Sequence, residues 1–373
     1  MKLEPFKMER MQSTWENLVD YNLSESGVHP VSLAELAGME PGILEQLIKT
    51  ELGYGQSNGT IELRERIAAL YSGATADHVL VTNGTSEANF VTIWKLVDKD
   101  DEIALMLPNY MQIWGITRAF GGIVRPYYLR EENNWHPDLD ELRKVVGSRT
   151  KLIAVCNPNN PTGRVLTEAE MNGIAQIADS CGAWLLVDEV YQGAERTKER
   201  TPSFWGRSER LIVTNGLSKA YGLPGLRIGW VLAPTGFVAS AWSYHDYMTI
   251  GPGMLSDVLA RVALTPRIRE KILQRTRGIL QNNYPILASW IEAHGDVFSL
   301  LEPDAGAIAY LRYKLDINST ELVERLLHEK STLIVPGDHF GMDHYLRIGY
   351  GPPAAYLQSG LERIHSTLVE LAD

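Results

Sequence analysis

The chain reads as an α/β protein: a large domain built on a mainly parallel, seven-stranded sheet, with a smaller α+β domain beside it. Two patterns carry this expectation. Seven short apolar runs recur between residues 78 and 232, most of them separated by amphipathic segments at helical spacing. Runs that are apolar throughout, rather than alternating, suit strands covered on both faces, as in parallel sheets. After about Pro252 the rhythm changes to a long helical stretch, two strand-like runs and two further helices.

Taken in order, the N-terminal arm carries loop signals at Ser24–Pro30 and is expected to pack on the smaller domain. Leu63, Ile67 and Leu70 fall at helical spacing within Thr60–Tyr71. The seven strand candidates are His78–Thr82, Glu102–Leu107, Ile123–Leu129, Leu152–Cys156, Trp184–Val187, Leu211–Thr214 and Arg227–Leu232. Helical patterns over Thr85–Val97, Asp138–Val146 and Thr167–Cys181 lie between them. The second pattern consists of a helix over Pro266–His294, strands over Ala305–Tyr313 and Tyr345–Gly349, and helices over Thr320–Lys330 and Pro353–Leu371. The expected division is a large domain over 45–265, with 1–44 and 266–373 forming the small domain and its arm.

Composition narrows the function classes. At 373 residues, with 45% apolar and 22% charged residues, the chain has the make-up of a soluble two-domain enzyme. Its formal charge of −11 is spread in mixed sign, so no basic face is expected to recruit nucleic acid or an anionic membrane. Two cysteines, Cys156 and Cys181, supply neither a disulfide framework nor a cysteine-based zinc site. The first ten residues mix charges and lack a signal peptide's apolar core, and no apolar run nears the roughly 18 residues of a membrane span. A cytoplasmic location is expected by elimination. No metal is expected either: Asp338-His339 and Asp343-His344 lie in a glycine-containing loop. No phosphate-binding Gly-x-x-x-x-Gly-Lys-Ser/Thr loop occurs.

Sheets of this kind place their sites at the carboxyl ends of the strands. Residues with chemistry gather there: Asn83-Gly84-Thr85, Pro108-Asn109-Tyr110, Asn157–Gly163, Asp188 and Ser218-Lys219. Lys219 follows the apolar run Leu211–Thr214 and is flanked by small residues, with Arg227 eight positions on. A lysine that sheds hydration there loses ammonium stability and gains nucleophilicity, as a Schiff-base lysine requires. Asp188 ends an apolar strand, where an acid is unfavourable unless paired. Asn83–Glu87 opens a helix directly after a strand, and unpaired N–H groups at such a start suit a dianionic phosphate.

Ser218-Lys219 with Gly225-Leu226-Arg227-Ile228-Gly229 closely resembles the cofactor-lysine motif of fold-type I pyridoxal-phosphate (PLP) enzymes, the aspartate aminotransferase superfamily. The resemblance runs from the Tyr54 region to Arg347 and implies a set of roles. Lys219 would hold PLP through a Schiff base and then remove the substrate's α-proton. Asp188 would face the ring nitrogen, and Asn160 and Tyr191 would donate to the phenolic oxygen. Tyr110 would stack on the ring, while Gly84, Thr85, Ser86, Ser218 and Arg227 would cup the phosphate. Arg347, in Tyr345–Gly349, would grip the substrate's α-carboxylate with a planar two-pronged contact. Tyr54 would cross to the neighbouring subunit's phosphate, making the active unit a homodimer with composite sites. Glu189 is expected to be a structural or solvent-facing neighbour of Asp188. Gly216 departs from the pattern, because many relatives have a further phosphate-binding serine there.

The resemblance implies amino-group transfer between an L-amino acid and a 2-oxo acid. The alternative is a lyase, racemase or cyclase acting on a modified amino acid, since fold alone does not choose. The arm supports that alternative: Asn22–Pro30 departs from the Gly-x-Pro-x-Phe arm typical of aminotransferases. Its Ser26-Gly27-Val28-His29 resembles the capreomycidine synthase group, which cyclises a hydroxylated arginine. On that reading Gly27 and His29 border the substrate; His29 would be either a second proton carrier or a pin for the arm.

Overall fold

A computed structural model describes residues 3–197 and 200–372. The seven expected strands form one sheet: β1 (Val79–Thr82), β2 (Glu102–Leu107), β3 (Ile123–Tyr128), β4 (Thr150–Cys156), β5 (Trp184–Asp188), β6 (Leu211–Gly216) and β7 (Gly229–Leu232). Their order is β1-β7-β6-β5-β4-β2-β3. From β3 to β6 every pairing is parallel, whereas β7 runs antiparallel to both β6 and β1. The last apolar run therefore splits. Pro224–Leu226 form a single tight turn, Arg227 takes a left-handed backbone (φ 51°), and the strand starts at Gly229. The chain has to reverse after Lys219, and that reversal consumes the run's first residues.

Both faces of the sheet are covered, which explains the unbroken apolar runs. Val81, Met106, Ile153, Val155, Val187, Val213 and Trp230 join the larger core. Their neighbours Leu80, Leu105, Leu152, Ala154, Leu186, Ile212 and Val231 point the other way, into a second core. There they pack on α2 (Thr85–Leu96) and on helices Gln112–Ala119 and Thr235–His245. The 28-residue helix Pro266–Ala293 leads to an antiparallel sheet of β8 (Phe298–Leu300), β9 (Ile308–Tyr313), β10 (Val335–Pro336) and β11 (Tyr345–Gly349), in the order β10-β11-β9-β8.

The arm is more structured than its loop signals suggest. Tyr21–Asn22 pair in parallel with Thr332–Leu333. Before them lies a helix, α1 (Lys7–Trp15), anchored where Gln12 Nε2 donates to the carbonyl and Oγ of Ser24, both at 3.0 Å. Among the described residues no helix is long and apolar enough to cross a membrane.

Candidate active site

The carboxyl ends of β4, β5 and β6 stand in register, with Cys156 opposite Asp188 and Asp188 opposite Thr214. Above them lies a cavity of about 330 Å³. Thr85, Ser86, Tyr110, Asn160, Asp188, Tyr191, Ser218, Lys219, Arg227 and Arg347 all line it, although they come from strand ends and loops up to 262 positions apart (347 − 85). Lys219 is partly exposed, and its Nζ lies 3.6 Å from Glu25 Oε2. Gly27 rests on it: a Cβ built there would come 3.5 Å from Lys219 Cδ.

Asp188 is buried at the cavity floor. Its Oδ2 accepts from Asn89 Nδ2 at 3.1 Å and its Oδ1 from the Val190 N–H at 3.0 Å. Burial outweighs these bonds and pushes its carboxyl up to about 6. Asn89 in turn accepts from Thr214 Oγ1 at 2.8 Å. It stands four residues after Thr85, on the same face of α2. That spacing is the signal by which sequence reasoning could have found Asn89, and did not. Glu189 is structural rather than solvent-facing: its carboxylate accepts from Ser203 Oγ and the Phe204 N–H, and burial pushes it up to about 7.

The Asn157–Gly163 loop divides its amides between two tasks. Asn157 Oδ1 accepts from the Leu166 N–H at 2.9 Å, and Asn159 Oδ1 from the Thr162 N–H and hydroxyl. Asn160 instead turns into the cavity, where its Oδ1 accepts from Arg347 Nη1 at 2.9 Å. Arg347 is 1% exposed, and its Nη2 donates to the Ser24 carbonyl at 2.6 Å. Its Nε has no partner. Burial also holds the Tyr191 phenol well above its ordinary range, so it stays a protonated donor.

At the other end of the cavity, α2 begins. Gly84 has φ 88°, and a Cβ there would run into the Arg227 guanidinium, which donates to the Asn83 carbonyl at 3.4 Å. Thr85 Oγ1 is buried without a partner. Gly216 has a steric reason: a Cβ there would lie 2.5 Å from Thr85 Oγ1 and 2.9 Å from the Ile228 carbonyl.

Helix α1 roofs the cavity. Glu9 accepts from the Tyr110 hydroxyl at 2.8 Å, and the Phe6 ring tilts against Tyr110 at 4.9 Å. Met8, Gln12 and Glu16 complete the roof with Glu25 and Ser26. Three glutamates, 9, 16 and 25, thus face one end of the cavity. Burial and the other two carboxylates raise Glu16, whereas the Lys219 ammonium holds Glu25 down. The sequence reading missed all three, because α1 carries no motif and its relation to the cavity is purely tertiary.

Two expected residues lie elsewhere. His29 does not line the cavity: its Nδ1 sits 3.1 Å from the Gly351 carbonyl, its N–H donates to the same oxygen, and its carbonyl accepts from Arg275. The arm's geometry thus makes it a pin rather than a substrate neighbour. Tyr54 is 95% exposed and reaches no part of this cavity.

The remaining residues fit PLP. The unpartnered Thr85 hydroxyl, the α2 N-terminus, Ser86, Ser218 and Arg227 form a donor set for a phosphate. Asp188, desolvated and hydrogen-bonded only to neutral groups, suits a protonated ring nitrogen. A lysine-centred pocket of this kind, on this sheet, defines a PLP-dependent enzyme. The chain belongs to the aminotransferase class I and II family, whose model matches residues 23–364. It is 32% identical to capreomycidine synthase from Streptomyces vinaceus, over 93% of this chain and 89% of that one. A PLP-dependent aminotransferase from Streptococcus suis superposes with a TM-score of 0.93 at 32% identity, covering 100% of this chain and 99% of the other. The PLP-dependent cyclase OrfR superposes at 0.90 with 27% identity, over 99% and 98%.

Proposed function

We propose that the protein acts on an L-amino acid with a cationic side chain, freeing the α-proton and then closing a ring or expelling a substituent. The acidic end of the cavity carries this reading. Asp188, Arg227 and Arg347 are matched by the ring nitrogen, the cofactor phosphate and the substrate's α-carboxylate respectively. Glu16, Glu9 (which accepts from Tyr110) and Glu25 (3.6 Å from Lys219 Nζ) border the side chain, where a guanidinium-like cation complements their surplus of negative charge.

Bound PLP supplies a carbonyl that links to an amine and a conjugated ring that takes up the electron pair released at the α-carbon. Lys219 holds the cofactor and, once its amine is free, receives the α-proton. Arg347 orients the substrate by its carboxylate; its unpartnered Nε is available for that contact. Asn160 and Tyr191 donate to the phenolic oxygen, Tyr110 covers the ring, and α1 excludes water. The 45–265 segment carries the cofactor, and 1–44 with 266–373 closes over it.

An aminotransferase accepts two substrates in turn at one site. A dicarboxylic 2-oxo acid would bring a second carboxylate against three glutamates, and among the described residues only Arg227 and Arg347 are arginines of the lining. The relatives named as capreomycidine synthase and as a cyclase support single-substrate chemistry. Amino transfer to an uncharged 2-oxo acid is the second reading, supported by the family and by the aminotransferase from Streptococcus suis.

The active unit is proposed to be a homodimer. Ile48, Leu52, Tyr54, Tyr247 and Ile250 expose apolar surface of the kind that a second copy covers. Tyr54 would then reach the partner's phosphate site.

The test is to offer the loaded enzyme arginine, hydroxylated arginine, lysine, glutamate and alanine, and to follow products by mass spectrometry. A cationic substrate is expected to yield either a cyclic product retaining its α-nitrogen or, where a substituent is expelled without ring closure, a 2-oxo acid with one equivalent of ammonia. Glu25→Gln should raise its KM by about tenfold, the loss of one charge-assisted contact. A 2-oxo acid formed only when a second 2-oxo acid is supplied to take up the amino group, with no ammonia released, selects the second reading. A 2-oxo acid formed with stoichiometric ammonia is instead the product of expelling a substituent; a preference for glutamate overturns the acidic-end argument.

A further inference from the structure

One buried acid takes no part in the chemistry above. Glu87, in the first turn of α2, is 6% exposed. Its Oε1 accepts from Thr249 Oγ1 at 2.7 Å, and its Oε2 accepts from the Asn83 N–H. The same Oε2 lies 3.5 Å from Nε2 of His245, a fully buried residue that ends the helix Thr235–His245. Asn83 closes the circuit, its Nδ2 donating to Thr249 Oγ1 at 2.6 Å and to the Gly251 carbonyl at 3.3 Å.

These bonds join two places with different tasks. On one side is the turn that presents Gly84, Thr85 and Arg227 to the phosphate; Asn83's carbonyl is the acceptor for Arg227 Nη2. On the other is the 247–253 loop, which displays Tyr247 and Ile250, the latter held at φ 68°. Gly251 lies against the backbone of Ser57, so that a Cβ there would come 3.2 Å from Ser57 Cα. Trp242 Nε1 donates to Ser57 Oγ at 2.7 Å. The segment that carries Tyr54 therefore rests on the loop that Glu87 and Asn83 hold.

We propose that Glu87, through Thr249 and Asn83, couples the phosphate turn to the face on which a second copy of this chain sits, so that cofactor binding and dimerisation strengthen each other. Glu87 is a positioning residue in this scheme: it touches neither cofactor nor substrate. The inference rests on the homodimer reading and adds a route within the subunit, separate from any contact that Tyr54 makes across the interface. Linkage requires the coupling to be reciprocal: whatever factor PLP contributes to dimer affinity, the dimer contributes to PLP affinity.

The experiment measures the dimer dissociation constant by sedimentation over a dilution series, with and without saturating PLP. Wild-type protein is expected to dimerise about tenfold or more tightly with PLP, within the range of ordinary allosteric couplings. Thr249→Val keeps the side chain's shape and removes the shared hydroxyl. It should still dimerise, with the PLP-dependent ratio reduced by about fivefold. Thr249→Ser, which restores the hydroxyl, should recover most of the ratio. Should Thr249→Val fail to fold, the double variant Asn83→Ala/Glu87→Gln carries the same expectation, since it removes Asn83's two bridges to the loop and the charged acceptor of the third. An unchanged ratio in the variant overturns the coupling while leaving the dimer intact. A wild-type protein that stays monomeric with and without PLP overturns the dimer reading and the coupling with it.

Discussion

Replacing Asp188 by asparagine isolates the electrostatic state of the cavity floor. Burial pushes this carboxyl from an ordinary 3.8 up to about 6. The sign follows from linkage. Between those two values the folded apoprotein binds the proton that the unfolded chain releases, so stability falls as pH rises through the window. At 1.36 kcal/mol per unit, the difference amounts to about 3 kcal/mol, fully expressed above pH 6. The substituted amide cannot ionise and escapes this loss. It keeps an acceptor for the Val190 N–H but turns a donor toward Asn89, a pH-independent penalty of about 1–3 kcal/mol. Glu189 titrates in both proteins, but the Asp188 charge that helps to raise it is missing from the variant, which adds to the variant's gain in the same direction. Urea denaturation of apo wild type and apo Asp188→Asn at pH 4, 6 and 8 provides the assay. The stability of the variant relative to wild type should rise by roughly 2–2.5 kcal/mol from pH 4 to pH 8, since the unfolded chain is already partly ionised at pH 4. Saturating PLP should remove that advantage, because a protonated ring nitrogen favours the charged carboxylate. A difference between the two apoproteins that is flat across pH would refute the argument that Asp188 is held desolvated and unpaired.

Two further predictions concern the cofactor and the partner subunit. Borohydride fixation of PLP followed by peptide mapping should place the label on Lys219, and Lys219→Ala should abolish it; a label on any other lysine sinks the assignment. Mixing Tyr54→Phe with Lys219→Ala protein should restore activity in heterodimers, since one site would carry both lesions and the other neither. No recovery despite verified subunit exchange counts against Tyr54 acting in trans.

How much was legible in the sequence differs from element to element. The seven strands of the large sheet stood out because two covered faces demand unbroken apolar runs. The helix after β1 was legible because it begins at a strand end with small and hydroxyl residues. The residues expected around the cofactor belong to short motifs at strand ends, and the fold brings those ends to one cavity. Arg227–Leu232 was misjudged at its start, since nothing local signals that the chain must turn back to run antiparallel.

The acidic end of the cavity and the Glu87 network belong to the other kind of knowledge. Glu9, Glu16 and Glu25 do not stand out in a chain of 46 acidic residues, and acquire meaning only because α1 lies across the cavity mouth. His29 shows the converse: a motif-like context drew it toward the substrate, and a backbone carbonyl at Gly351 took it away. Periodicity and motif spacing report each residue's relation to its own segment, and from these come the class of fold and the cofactor chemistry. Which side chains face a substrate depends on contacts between segments hundreds of residues apart, and no local pattern encodes those. The tertiary packing alone settles them, by deciding which charged side chains come to line one cavity.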